Sequence, residues 1–198
     1  RALDKSDFSF VAPSFVADGA MVVVPNYALC PAVSVEDIAL QMVKAVVWTW
    51  HHAAAHGGNP ARIALVGHSA GAHLAAMLLS CRWKQVDEAL PLQPLAGALA
   101  ISGLYDLEPI RHTEFLQTDL KLTPAQVNRL SPAFFPRPKA GKLYAVVGAD
   151  VEDALRLPAS TRPSRSTPSS STRRIPAARA AVSPTATRCT PSPPISDT

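Results

Sequence analysis

The segment with the clearest chemical potential is Gly67-His68-Ser69-Ala70-Gly71, which fits the pattern Gly-x-Ser-x-Gly. It lies between the apolar runs 62–66 and 70–80, where a strand is predicted to turn sharply into a helix. Such a turn strains the backbone of the serine and exposes its hydroxyl, and glycines two residues away on either side relieve the crowding. The pattern therefore predicts that Ser69 is a nucleophile. A glycine-serine turn that arises by chance is the competing interpretation, and it explains neither neighbouring element.

The residues beside Ser69 have predicted roles of their own. The first N–H groups of a helix have no carbonyl partner within it and lie at the positive end of its dipole. The N–H of Ala70 is therefore the expected donor to an oxyanion formed at Ser69. His68 is expected to shape the wall of the pocket that binds substrate.

Helices and strands alternate along residues 1–150 and would position this segment. Helices are predicted over 7–18, 33–56 and 70–80, with a short one opening at 123, and strands over 20–25, 62–66, 96–101 and 142–147. Ser34 and Asp37 resemble a capping box at the start of the second helix, and the strands 20–25 and 62–66 read as buried. The order predicts an α/β fold, a mostly parallel sheet with helices on both faces.

Three segments resemble the esterase and arylformamidase branch of the α/β-hydrolases, and most closely the bacterial kynurenine-formamidase-like proteins. They are Val-Val-Val-Pro-Asn-Tyr-Ala-Leu-Cys-Pro (22–31), Gly-His-Ser-Ala-Gly-Ala-His (67–73) and Ile-Ser-Gly-Leu-Tyr-Asp-Leu-Glu-Pro (101–109). The segments follow the family's order within residues 1–150. The resemblance implies the α/β-hydrolase fold and hydrolysis of a carboxylic ester or an N-formyl aryl amide through an acyl-serine. It implies a small-molecule substrate and neither a metal nor an organic cofactor.

The resemblance also implies a catalytic acid shortly after the strand 142–147. The family's slot aligns with Val151, and Asp150 beside it is the candidate acid, with an ordinary turn-capping role as the alternative. Asp106 is a weaker candidate and is expected to begin a turn or a helix. Tyr105 is predicted to contact substrate, together with Leu107 and Phe115, at the border of an apolar pocket.

No histidine follows Asp150, although the order in this family is serine, acid, histidine. Without that base Ser69 keeps an unactivated hydroxyl, so we expect impaired catalysis. His112 is the alternative base, His73 is expected to pack or to line the site, and His51, His52 and His56 only faintly suggest a metal pair. Relatives also carry a His-Gly-Gly segment before the position of Arg1 that completes the oxyanion hole, which predicts an N-terminal truncation.

The composition changes after residue 150. Residues 151–198 contain no Gly, Lys, His or aromatic residue, and half of them are Pro, Ser or Thr. The sequence therefore predicts a partial hydrolase domain over 1–150 and a disordered Ser/Pro/Thr/Arg-rich tail over 151–198. Arginine without lysine in such a segment suggests translation in a shifted reading frame near codon 150, and a genuine disordered tail is the alternative.

Charge and cysteine content restrict the other function classes. The tail holds seven arginines and three acidic residues, which accounts for the whole formal charge of +4, so nucleic-acid binding is not predicted. No apolar run approaches the roughly 18 residues of a membrane span. Cys30 and Cys81 read as buried thiols in a reducing compartment, and Cys189 completes no metal or disulfide pattern. Cytoplasmic localisation is the expectation.

Two further functions compete with a serine hydrolase on these grounds. The same scaffold could serve as a non-catalytic module that binds an aryl ligand in the old pocket. It could also be a non-functional fragment whose incomplete sheet exposes an unpaired edge. The sequence determines neither the exact substrate nor the oligomeric state.

Overall fold

A computed structural model describes residues 3–138 and 140–147 of the 198-residue chain. The candidate acid Asp150, Cys189 and the predicted tail over 151–198 lie outside the described residues. All six histidines and the whole Gly-x-Ser-x-Gly segment lie within them.

The described strands form one parallel sheet. Its order is β1 (Ile63–His68), β2 (Leu95–Ile101), β3 (Lys142–Val146), with His68 opposite Ile101 and Ile101 opposite Val146. The carboxyl ends of all three strands therefore meet at one edge of the sheet. Parallel strands linked through helices are the predicted arrangement, and the predicted bounds are accurate to within about two residues.

Helices precede and connect these strands. They are α1 (Lys5–Phe8), α2 (Ala12–Ala17), α3 (Val35–His52), α4 (Ala70–Leu79), α5 (Trp83–Val86), α6 (Glu108–Arg111), α7 (Glu114–Leu120) and α8 (Pro124–Leu130). Short 3-10 turns lie at Ser9–Val11, Ala53–His56, Pro60–Arg62 and Pro132–Phe134. Within the described part of the chain, no helix has the length and apolar character needed to cross a membrane.

The long helix α3 begins and ends as its sequence predicts. The Ser34 hydroxyl accepts a hydrogen bond from the Asp37 N–H at 3.1 Å, and an Asp37 carboxylate oxygen accepts the Ser34 N–H at 3.0 Å. This reciprocal pair is a capping box with Asp in the Glu position, and it satisfies donors that the helix leaves unpaired. After the 3-10 turn, Gly57 adopts a left-handed conformation, with φ 78°, and ends the segment.

The helix predicted over residues 7–18 is helical in the structure, but it is not one continuous helix. Residues 7–18 are helical in three short pieces, α1, a 3-10 turn and α2, and Gly19 with φ 82° ends them. The apolar side chains of this segment do not enter the core, and Phe10 is 74% exposed. Helical periodicity thus predicted the local conformation correctly, although the described structure offers this face no packing partner.

The core lies between α3, α4 and β2. Ile38, Met42 and Val46 of α3 pack with Leu78 and Leu79 of α4 in one buried cluster that also contains Trp83 and Leu95. Cys30 is buried in this cluster, as predicted, whereas Cys81 packs against it and is half-buried rather than buried; both are free thiols. Burial raises the pKa of both thiols, so they remain protonated at neutral pH. The cluster holds α4 by its C-terminal half and leaves its N-terminus at the sheet edge.

Two predictions about strands need correction. Residues 20–25 form no strand in the structure, and Val23 is exposed, because no strand of the described residues lies beside this segment to share hydrogen bonds. β1 is a strand but is not buried on both faces. Ile63 and Leu65 are half-buried and pack against the core, whereas Val66 on the opposite face is 58% exposed. An apolar run alone does not identify which of its faces the fold covers.

Candidate active site

Ser69 occupies a strained turn between β1 and α4. Its backbone angles are φ 53° and ψ −114°, a conformation that costs a non-glycine residue about 1–3 kcal/mol. Hydrogen bonds hold the turn on both sides: the Ser69 N–H donates to the Ile101 carbonyl at 2.9 Å, and the Ser69 carbonyl accepts the N–H groups of Ala72 and His73, each at 3.1 Å. The predicted strand-turn-helix geometry is therefore present.

The two glycines of the motif are not equivalent. A Cβ atom on Gly67 would lie 2.2 Å from the carbonyl oxygen of Gly71, whereas a Cβ atom on Gly71 would meet nothing within 4 Å. The prediction that both glycines relieve crowding is therefore correct for Gly67 and wrong for Gly71. The crowding arises because the backbone of Gly71, in the first turn of α4, passes directly beside Gly67.

Ala70 and His68 lie on either side of the nucleophile. Ala70 is the first residue of α4, so its N–H has no carbonyl partner within the helix and suits the predicted oxyanion donor. His68 is the last residue of β1 and is exposed. Across the described residues, none of the six histidines hydrogen-bonds to the Ser69 hydroxyl. The described part of the site therefore holds Ser69 and the unpaired Ala70 N–H, and no histidine of that part is bonded to the serine hydroxyl.

His73 is a packing residue, which is one of the two roles predicted for it. Its ring is buried one turn into α4, and its Nε2 donates to the Leu130 carbonyl, 2.7 Å away, at the end of α8. Burial lowers the pKa of His73, and the hydrogen bond to Leu130 opposes that shift only in part. A neutral ring committed to a backbone carbonyl anchors the nucleophile helix to α8.

This burial predicts acid sensitivity of the fold. The unfolded chain binds a proton on His73 near pH 6.5, while the folded chain binds it only at lower pH. The free energy of unfolding should therefore fall as the pH drops below about 6.5, by up to about 1.4 kcal/mol for each pH unit until the folded pKa is reached. Urea unfolding between pH 7.5 and 5 measures this slope. His73→Gln, which retains a donor but does not titrate, should flatten it, and an unchanged slope would contradict the assignment.

Tyr105 lies beneath the site rather than at its surface. It is 3% exposed and packs with Ala72 and Ala76 of α4 and Ala100 of β2. Its hydroxyl has no hydrogen-bond partner in the described part of the chain, and burial raises its pKa. Leu107 is also buried, whereas Phe115 is exposed. The structure thus does not bring these three predicted pocket residues together on one surface, and substrate contact by Tyr105 stays a prediction.

The remaining acidic and histidine candidates have local partners. The Asp106 carboxylate accepts the Glu108 N–H at 2.9 Å, which confirms its predicted place at a helix start. His112 contacts Glu108, 2.9 Å away, and that carboxylate also accepts from Arg111. The Arg111 bond first, and then that of His112, lowers the pKa of Glu108 to about 2. His112 as the base stays a prediction.

The three histidines near the end of α3 are engaged separately. His51 pairs with Asp87 at 2.7 Å, while His52 and His56 stack on Trp48 with ring centroids 4.6 Å and 6.1 Å away. Residues 3–138 and 140–147 contain no group of three or more His, Cys, Asp or Glu side chains that could hold a metal.

Sequence reasoning missed the segment that follows α8. Ser131 is fully buried and its hydroxyl accepts the Leu107 N–H at 3.0 Å, while the Ala133 N–H donates to the Tyr105 carbonyl at 2.9 Å. With the His73–Leu130 bond, these contacts tie the nucleophile helix and the loop after β2 to one short segment. No local signal predicts them, since the partners are 24 or more residues apart in sequence.

A groove of about 390 Å³ lies between α3, α4 and α8, apart from the nucleophile. Leu40 and Val43 of α3, Leu78 of α4 and Phe135 contribute to its apolar lining, and the Glu36–Arg129 ion pair, 2.9 Å long, lies at its side. Neither Ser69 nor its immediate neighbours line it. The groove is therefore a feature of helix packing and not the predicted substrate pocket.

Comparison with known proteins agrees with the strand-turn-helix geometry at Ser69. A family model described as the alpha/beta hydrolase fold matches residues 10–161. The chain belongs to the α/β-hydrolase family. Kynurenine formamidases from Danio rerio and Salmo salar are 37% and 35% identical to this hydrolase-family chain over 133 and 131 residues. These matches cover 67% and 66% of the chain but only 43% and 42% of those relatives.

A solved structure extends the likeness of this family member. The crystal structure of a candidate thioesterase from Silicibacter sp. superposes with a TM-score of 0.63 at 32% identity, covering 75% of this chain and 53% of that one. The predicted fold class and the resemblance to kynurenine formamidases are thereby confirmed. The chain spans less than half the length of the formamidases it matches.

Proposed function

We propose that this chain carries the nucleophile of a serine hydrolase that acts on a carboxylic ester or an N-formyl aryl amide through an acyl-serine at Ser69. The strained backbone of Ser69 carries the proposal, because a non-glycine residue with φ 53° between a strand and a helix is the geometry that exposes a nucleophilic hydroxyl. The relatives named formamidases favour a formamide among acyl substrates.

The reaction follows from the positions of Ser69 and Ala70. The Ser69 oxygen attacks the carbonyl carbon and forms the new C–O bond, while the hydroxyl proton passes to a base. The electron pair moves to the carbonyl oxygen, where the Ala70 N–H stabilises it. Collapse of the intermediate breaks the bond to the alcohol or amine, which takes up the proton. Water then attacks the acyl-serine and releases the acid and the free serine.

The described residues place no base against the Ser69 hydroxyl, which would limit the rate. All six histidines lie among the described residues, and none hydrogen-bonds to the Ser69 hydroxyl there. Loss of the base typically lowers turnover by several orders of magnitude. We therefore propose slow acylation, with Asp150, outside the described residues, as the candidate acid. The relevant measurement is reaction at Ser69 rather than steady-state turnover.

A fluorophosphonate probe, which phosphonylates reactive serines with loss of fluoride, tests the nucleophile. The parent chain should be labelled slowly, at long exposure to the probe, and Ser69→Ala should lose that labelling completely. Ser80→Ala, which removes a serine at the other end of α4, should be labelled like the parent. Equal labelling of the parent and the Ser69→Ala variant would contradict the proposal, and peptide mass spectrometry locates the modified residue.

The absence of a base bonded to Ser69 among the described residues also supports a second function, a non-catalytic module that binds an aryl acyl compound. Saturable binding of an N-formyl aryl amide with neither labelling nor product would favour this function. A chain that neither binds nor reacts, and that melts without cooperativity, would instead behave as a non-functional fragment.

A further inference from the structure

A second serine stands beside the nucleophile at the carboxyl edge of the sheet. His68 and Ile101 are opposite each other in parallel strands and are the last residues of β1 and β2, so Ser69 and Ser102 directly follow neighbouring strand ends. The Ser69 N–H donates to Ile101 at 2.9 Å, and the Ser102 N–H donates to Val146 at 2.7 Å. Neighbouring strands lie about 4.8 Å apart, so a small ligand on Ser69 is within reach of Ser102. Ligands of open parallel sheets bind at this edge.

Ser102, like Ser69, has a positive φ. Its φ is 48°, in the left-handed region that favours glycine by about 1 kcal/mol or more. The other described non-glycine residues with positive φ are Leu3, at the start of the described chain, and Lys121, which ends α7. Ser69 and Ser102 are therefore the described non-glycine residues that combine a positive φ with a strand end, and they are neighbours. Strain of this kind concentrates where a side chain has a function.

Gly103, the residue after Ser102, is a glycine for a different reason. Gly103 does not adopt a positive φ, but a Cβ atom there would lie 2.5 Å from the Tyr105 ring and hydroxyl. The loop thus places glycine where packing excludes a side chain, and serine where the backbone favours glycine. Ser102 is half-buried, and its hydroxyl makes no hydrogen bond within the described residues that would explain a local capping role. The hydroxyl itself is therefore the feature that requires an explanation.

We propose that the Ser102 hydroxyl hydrogen-bonds to the acyl substrate bound at Ser69, which makes Ser102 a substrate-contacting residue of the site. The proposal rests on the function proposed above and adds a recognition contact to it. It requires a substrate with a polar atom next to the reacting carbonyl, such as the N–H of a formamide or the second oxygen of an ester. One hydrogen bond of this type changes binding or reactivity about five- to tenfold.

Ser102→Gly distinguishes the effect of the hydroxyl from that of the backbone strain, because it removes the hydroxyl and relieves the strain. This variant should melt at or above the parent temperature, yet its Ser69 should react about five- to tenfold more slowly with a fluorophosphonate probe. Ser102→Asn, which tolerates positive φ and can hydrogen-bond, should recover part of the rate. Lys121→Gly is the matched control, since it relieves the same strain at the end of α7 and should leave the labelling rate unchanged.

Binding supplies a readout that does not depend on acylation. An N-formyl aryl amide should bind Ser69→Ala about five- to tenfold more tightly than the Ser69→Ala, Ser102→Gly double variant. If the parent is labelled, and Ser102→Gly changes neither the labelling rate nor the affinity for the amide, the Ser102 contact is refuted and the acyl-serine proposal is retained. If the parent is not labelled but binding weakens in the double variant, the contact stands and the acyl-serine fails. Absence of both labelling and binding overturns both.

Discussion

Gly67→Ala should remove at least about 3 kcal/mol from the free energy of unfolding and abolish reaction at Ser69. The added Cβ atom would lie 2.2 Å from the Gly71 carbonyl oxygen and 2.7 Å from the Ala72 nitrogen. Both are backbone atoms of the first turn of α4, so no side-chain rotation relieves the overlap, and the helix must move away from β1. Because Ser69 lies between these two elements, its strained conformation cannot survive that movement.

Gly71→Ala is the matched control for this prediction. The same methyl group, four residues later, meets nothing within 4 Å and lies in the first turn of a helix. Alanine there should raise the free energy of unfolding by about 0.5–1 kcal/mol, because glycine is the poorer helix former. Urea unfolding of both variants, with fluorophosphonate labelling of Gly67→Ala, provides the comparison. Equal effects of the two substitutions on stability would show that the close approach of Gly67 to the first turn of α4 is not needed for the turn at Ser69.

The contrast between these glycines shows how far the motif alone could predict the site. Gly-x-Ser-x-Gly between a strand and a helix was sufficient to predict the turn at Ser69 and the position of Ala70. It could not distinguish Gly67, where a Cβ atom would overlap the next helix, from Gly71, whose backbone causes that overlap. That distinction depends on how closely β1 and α4 approach each other, which only the three-dimensional arrangement determines.

Elements with local signals were predicted well for the same reason. The capping box predicted at Ser34 involves residues three positions apart and is present, and the helix predicted to open at Thr123 begins there. The strand predicted over 20–25 failed because a strand needs a neighbour, and none is present among the described residues. Tyr105 was expected at a pocket border, but contacts with α4, more than 25 residues earlier, bury it. Distant pairings are the part of the site that no local pattern contains.

The loop after β2 connects the sheet edge to the helix that follows Ser69. It follows the strand that receives the Ser69 N–H, it carries Ser102 at the sheet edge, and it packs Tyr105 against the helix that begins at Ala70. The position of Ser69 therefore depends on non-local contacts of α4 as much as on the motif. A substitution far from Ser69 that loosens the packing of α4 should then act on the whole fold.

Trp83→Ala should lower the free energy of unfolding by about 3–5 kcal/mol. Trp83 is 0% exposed and belongs to the cluster in which Leu78 and Leu79 of α4 pack against α3. Truncation leaves a cavity at the C-terminal end of the helix that positions Ser69. Since domains of this size are stable by only about 5–15 kcal/mol, the loss is a large share of the total. Urea unfolding followed by far-ultraviolet circular dichroism measures it.

Trp83→Phe separates the volume of this side chain from its polar atom. The indole Nε1 of Trp83 is buried without a hydrogen-bond partner among the described residues, and such a donor costs about 1–3 kcal/mol. Phenylalanine keeps most of the apolar volume and removes that donor, so the gain offsets much of the smaller cavity. The variant should therefore lie within about 1 kcal/mol of the parent. A loss as large as that of Trp83→Ala would mean that the indole N–H is hydrogen-bonded in solution and that this N–H, rather than the packed volume, stabilises the junction of α3, α4 and α5.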